Sequence, residues 1–157
     1  MNTLTIHSPF ATETSASGND LAANSPYATA AQTQAVLRSG AKYRRERLDA
    51  ADMISTDEAA ALAGTTRVTV NAWIKAGRCI GVGHLRRGFK LPRWQFEPAV
   101  WPLLQPLAKA LGSNDGWQLL SFLESPATAL DGQTPRAALE QGAAPERILA
   151  LATAEAH

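Results

Sequence analysis

"ISTDEAAALAGTTRVTVNAWIKAGR", residues 54–78, is the stretch from which the rest of the chain is read. Ser55 or Thr56 can cap a helix whose first turn carries Asp57 and Glu58, acids that suit the positive end of a helix dipole. Ala59 to Ala63 continue that helix, and Gly64 supplies the left-handed backbone a tight turn needs. Thr65 or Thr66 then caps a second helix running to Gly77. The small Ala60 stands where two helices would cross, and Val70 and Trp73 follow as inward contacts of the second helix. The pattern predicts helix, turn, helix.

At roughly 100° per residue the second helix gathers Thr66, Val70, Trp73, Ile74 and Gly77 on one face, which the spacing predicts to be buried. The opposite face holds Val68, Asn71, Ala72 and Lys75, flanked by Arg67 and Thr69. These residue types match what the major groove of DNA presents. Asn pairs bidentately with adenine and Arg with guanine, Val and Ala meet a thymine methyl, and Lys takes a phosphate. The alternative is a solvated helix face, which usually carries Glu; this one carries none. Thr66, Arg67, Val68, Thr69, Asn71 and Lys75 are the candidate helix contacts.

Beyond Gly77, "CIGVGHLRRGFKLPRW", residues 79–94, alternates weakly. Ile80 and Val82 precede a turn at Arg86-Arg87-Gly88, and Phe89 and Leu91 follow it, which predicts a hairpin that forms a wing. Arg78, His84, Arg86, Arg87, Lys90 and Arg93 extend the cationic footprint toward the phosphate backbone or the minor groove. Gly81, Gly83 and Gly88 lack the spacing of a dinucleotide-binding loop, and no helix follows them.

Charge divides the chain. Residues 38–93 hold twelve Lys/Arg against five Asp/Glu, whereas residues 94–157 hold three against seven. The basic middle suits a polyanion and the acidic end avoids one. Residues 1–28 are rich in Ser, Thr, Ala and Asn without apolar periodicity, and read as a disordered tail. Residues 29–52 favour helix, although Gly40 weakens the middle; Val36, Leu37, Tyr43 and Leu48 make a thin apolar stripe, a candidate dimerisation surface.

The winged helix-turn-helix module is expected over 53–96 and a small helical bundle over 97–157, a mainly α fold. In the bundle, helices are expected around 98–111, where Pro106 must kink or restart the first, and 115–124, capped by Asn114 or Ser113. A turn at Asp131-Gly132 precedes a helix with Thr134 as cap and Pro135 at its first position, which stops at Gly142; a last helix opens at Pro145. Trp117, Leu120, Leu123, Leu130, Leu139, Ile148 and Leu151 are the expected core of this part.

No apolar run reaches the length of a spanning helix and the amino end lacks a signal pattern, so a soluble protein of the bacterial cytoplasm is expected. Cys79 is the only cysteine and there are three His, so no disulfide and no zinc set is expected, and no cofactor is implied. Asp115, Glu124 and Asp131 fall on different elements, Ser121 and Ser125 have no nearby His, and Cys79 has no evident base; no catalytic residue is expected.

The stretch "GWQLLSFLESPATALDGQTPRAALEQGAAPERILALA", residues 116–152, resembles the toxin-binding domain of the Xre/MbcA/ParS antitoxin family. The likeness rests on a Trp-containing helix, a Ser-Pro loop, then Leu130, Gly132, Thr134 and Pro135, a helix ending near Gly, and a final helix. It covers about a quarter of the chain. The resemblance implies that the protein neutralises a toxin encoded beside it, commonly a RES-type NAD-consuming enzyme, and that the complex represses its own operon. It implies toxin contacts at Trp117, Leu130, Gly132, Thr134, Pro135, Glu146, Arg147, Leu151 and His157, the last helix facing the toxin's active site. Many relatives carry a bundle of four or five helices at the amino end, whereas the element here resembles the short winged type of MerR or excisionase proteins. The expected partners are operator DNA, a toxin and a second copy of the chain, with no membrane. A toxin-free transcriptional regulator or an excisionase-like DNA-binding protein is the other reading.

Overall fold

The computed structural model describes residues 29–84 and 88–157, with the backbone alone at His84, so the tail expected over 1–28 lies outside the described residues. They are mainly helical, with one small three-stranded sheet, and divide into two units, one ending at Arg45 and the other spanning Glu46–His157.

The described part of the first unit is most of one helix, α1 (Ala30–Leu48), which ends four residues before the expected position 52. Its start is a reciprocal cap: the Gln32 amide donates to Thr29 Oγ1 at 3.1 Å and the Thr29 amide to Gln32 Oε1 at 2.8 Å. None of its residues is buried.

In the second unit, β1 (Met53–Ser55) leads into α2 (Thr56–Ala63) and α3 (Arg67–Lys75). Ser55 caps α2 and forms a capping box with Glu58, Gly64 closes α2 at φ 70°, and Thr66 Oγ1 accepts the Thr69 amide to start α3. Capping puts Thr66 in solvent, which corrects its place on the buried face; Val70, Ile74 and Gly77 are buried there, and Trp73 is half-buried.

β2 (Val82–His84) and β3 (Gly88–Pro92) pair antiparallel as expected, but β3 is the central strand, because β1 adds to its other edge. Three residues are too short a run for an alternating pattern to register, so β1 was not legible. Cross-strand partners share a face and neighbours along a strand alternate. The pairs Ile54–Leu91 and Gly83–Phe89 therefore define one face, and Met53–Pro92 and Val82–Lys90 the other. The first face packs on Ala59, Ala60, Val70, Ile74 and Cys79 of the helical pair and its exit. The second places Met53 and Val82 in the larger core built from the carboxy-terminal helices.

Those helices are α4 (Leu104–Leu111), α5 (Gly116–Glu124), α6 (Pro135–Glu140) and α7 (Pro145–Ala156), preceded by single turns at Arg93–Phe96 and Trp101–Leu103, with a third at Thr128–Leu130. Proline resolves where the first helix begins: Pro106 stands in the first turn of α4, where its missing amide is not required, so the helix restarts at Leu104 instead of running from 98. The start of α5 differs too: Asp115 holds the cap position without a side-chain bond, while Asn114 turns away to Lys75 and Ser113 Oγ accepts the Asp115 amide. Thr134, Pro135, Gly142 and Pro145 punctuate α6 and α7 as expected. Leu120, Leu123, Leu130, Leu139 and Ile148 are buried, with Trp117 and Leu151 packed against them at half exposure. The change of composition near residue 97 is thus no gap in packing: one core joins Ile80 and Val82 to Leu119 and Leu120.

Candidate nucleic-acid interface

The face of α3 turned to solvent is set by what its other face must do. Val70 and Ile74 are fully or almost fully buried, which leaves Arg67, Val68, Ala72 and Lys75 exposed and Asn71 and Thr69 half-exposed. Val68 is 78% exposed, a large apolar side chain offered to solvent beside Ala72. No acidic residue lies on α3.

Several contacts fix this helix. Asn114 Nδ2 donates to the Lys75 carbonyl at 3.1 Å, satisfying a carbonyl of the last turn. Gly77, at φ 75°, adopts a left-handed backbone, and a Cβ there would strike the Asn114 side chain. After it, the buried Gln95 binds Ile80 with both ends of its amide: the Ile80 amide donates to Oε1 at 2.7 Å, and Nε2 donates to the Ile80 carbonyl at 2.9 Å. A side chain thereby stands in for a neighbouring strand. At Gly116 a Cβ would collide with the Gly81 carbonyl, so α5 can approach the segment leading into β2 only with glycine there.

The expected cations differ in how far they are already engaged. Arg67 pairs bidentately with Asp57 of α2, Nε to Oδ1 at 2.9 Å and Nη2 to Oδ2 at 2.7 Å, both side chains open to solvent. These hydrogen bonds hold the Asp57 carboxyl below its usual range and raise the Arg67 guanidinium. Arg78 is exposed and lies 5.1 Å from the centroid of the Trp73 ring, which in turn meets Trp101 edge-on at 5.4 Å. Arg93 is exposed. Lys90 is exposed but shares the sheet face of Met53 and Val82, opposite the face packed on α2 and α3. Arg86 and Arg87, and the side chain of His84, lie outside the described residues.

A feature with no local sequence signal is the ion triad of Arg47, Asp52 and Glu124. Arg47 donates to both Asp52 oxygens at 2.8 and 2.7 Å and to both Glu124 oxygens at 2.9 and 2.7 Å. Trp94 Nε1 adds a bond to Asp52 at 3.1 Å. The hydrogen bonds from Arg47 hold the Asp52 carboxyl below its usual range, and the carboxylates push the guanidinium further up. Burial alone pushes the Cys79 thiol up to about 12, which leaves it protonated.

The residues implied as toxin contacts differ in how much surface they offer. Leu130 and Pro135 are buried and offer little surface, and the half-exposed Thr134 accepts the Ala137 amide as a helix cap. Gly132 sits in a left-handed turn at φ 83°, and Trp117 and Leu151 pack against the core. Glu146, Arg147 and His157 are exposed, with Arg147 donating to the Ala129 carbonyl at 2.6 Å. On the same part of the molecule Pro102 and Pro106 face Leu139, Ala143 and Leu149 across an apolar groove of about 420 Å³. Among the described residues no helix is long and apolar enough to cross a membrane.

No family model, no curated protein and no solved structure matches the chain.

Proposed function

We propose that this chain is a sequence-specific DNA-binding antitoxin, in which α2, α3 and the β2–β3 hairpin act as a winged helix-turn-helix and the carboxy-terminal helices hold a neighbouring toxin. The DNA reading is carried by the outer face of α3: Val68, Asn71, Ala72 and Lys75, with no acid among them, on a helix whose inner face is locked by Val70 and Ile74. Asn71 would read adenine, Val68 and Ala72 a thymine methyl, and Lys75 a phosphate, while Arg67 changes partner from Asp57 to guanine or phosphate. Reading two half-sites would require a dimer. Selection of bound duplexes from a random pool tests it; a functional α3 face returns a common sequence, which an Asn71→Ala chain no longer prefers.

The antitoxin part rests on the resemblance of residues 116–152 and on the exposed side of α7 that it would turn to the toxin. A regulator without a toxin is favoured by one observation: the acidic segment buries its apolar residues against α4 and the sheet, and needs no second protein to do so. Co-expression with the product of the adjacent gene separates the two. Deleting α7 would remove Ile148 and Ala152 from the core, so the suitable variant is Ala150→Arg/Ala154→Arg on its exposed side. A toxin rescued by the wild-type chain and not by this variant, with DNA affinity within about tenfold of wild type, supports the antitoxin. A harmless neighbour leaves the regulator.

A further inference from the structure

Helix α1 carries five cations between residues 38 and 47, Arg38, Lys42, Arg44, Arg45 and Arg47, against the single acid Glu46. Their arrangement on the helix is uneven. At roughly 100° per residue, Arg38, Lys42 and Arg45 fall at i, i+4 and i+7 within one narrow stripe, and Arg47 lies on the opposite side. Arg47 is committed to the Asp52–Glu124 triad and is not part of that stripe. Arg38, Lys42 and Arg45 are exposed, and they span about 10 Å of helix axis. Phosphates succeed one another along a duplex at a spacing such a row can follow.

The helix is poorly made for the other surfaces a cationic helix can meet. Val36, Leu37, Tyr43 and Leu48 do not recur at the three- and four-residue intervals of a coiled-coil seam, and Gly40 interrupts the middle. The apolar side is too sparse to enter a lipid interface. What remains is charge complementarity to a polyanion.

We infer that α1 is a phosphate-binding element, in which Arg38, Lys42 and Arg45 contact the backbone of duplex DNA. This rests on the DNA reading given above and adds a sequence-independent contribution to it. Its signature is salt dependence, since each neutralised phosphate steepens the fall of log affinity with log salt by about 0.9.

The test uses the full chain and a labelled duplex of mixed sequence, titrated from about 50 to about 200 mM salt. Arg38→Ala/Lys42→Ala/Arg45→Ala is compared with wild type and with Asn71→Ala/Lys75→Ala; the same three positions changed to Gln guard against a local folding effect, and helicity and molar mass are recorded for each. The stripe variants are expected to keep helicity and mass and to lower the salt slope by about 2 to 3. They are also expected to bind at least tenfold more weakly at low salt, while retaining the preference for the selected sequence. An unchanged slope in the stripe variants, with binding lost in the α3 variant, overturns the role of α1 alone. No duplex binding by wild type overturns this inference and the DNA reading together. A change in molar mass would assign the stripe to self-association, and stripe-dependent capture by anionic phosphatidylserine vesicles with an unchanged DNA slope would assign it to a membrane; either overturns the proposal.

Discussion

Arg67 and Asp57 close the corner between α2 and α3 as a bidentate pair, with Nη2 to Oδ2 at 2.7 Å. The pair is open to solvent, so each partner can exchange the other for water or a ligand at little loss. Asp57 therefore screens the one guanidinium at the amino end of the α3 face, and also places a negative charge beside approaching phosphates. Asp57→Asn is expected to tighten binding to any duplex several-fold, and Arg67→Ala to weaken binding of the selected duplex tenfold or more. Anisotropy titrations at fixed salt measure both; equal affinity in all three chains would mean that the pair stays closed on DNA.

Gln95→Ala should be among the most destabilising changes in the molecule. It leaves the Ile80 amide and carbonyl without partners in a site where Gln95 is fully buried. A loss of about 3 kcal/mol is expected in urea unfolding, at an unchanged dependence on denaturant. A loss under about 1 kcal/mol would show that water or a backbone shift replaces the amide.

Gly116→Ala tests the approach of α5 to the segment leading into β2. Ala is the better helix former, so at an open site it would stabilise the first turn of α5 by at most about 1 kcal/mol. Here its methyl meets the Gly81 carbonyl, and a net loss of about 2 kcal/mol or more is expected. The sign of the change in melting temperature decides it.

The Asp52 carboxyl predicts a pH dependence. Its folded pKa lies below the unfolded value of about 3.9, so its contribution is present above about pH 4 and is lost as pH falls through the folded value. Asp52→Asn should be less stable than wild type at neutral pH by about 2 kcal/mol, and the two stability curves should draw together below about pH 4. Parallel curves down to acid-induced unfolding would remove Asp52 from the linkage.

Much of the fold was legible because its punctuation is local. Ser55, Gly64, Thr66, Thr134, Gly142 and Pro145 act within a few residues of where they stand, and the apolar period of α5, α6 and α7 identified Leu120, Leu139 and Ile148 as core. The unread parts depend on distant partners. Gln95 acts as a strand for a residue fifteen positions away, and Arg47 reaches Glu124 across seventy-seven. At the candidate interface the outer face of α3 followed from helical projection, but which cations are engaged did not. Arg67 on Asp57 and Arg147 on the Ala129 carbonyl are pairings between separate elements, and Arg78 on Trp73 depends on the turn that ends α3.

The claim on which the rest depends is that α3 reads bases through Asn71. Asn71 lies on the outer face, where Ala is expected to leave the fold intact. The measurement is competition, at one salt concentration, between the duplex selected by the wild-type chain and a scrambled duplex of the same composition. Wild type is expected to prefer the selected duplex by several hundredfold or more. Asn71→Ala should lose about 1 to 3 kcal/mol of that discrimination, while its affinity for the scrambled duplex stays nearly constant. Equal discrimination by Asn71→Ala and wild type, or no preference by the wild-type chain, would contradict the account.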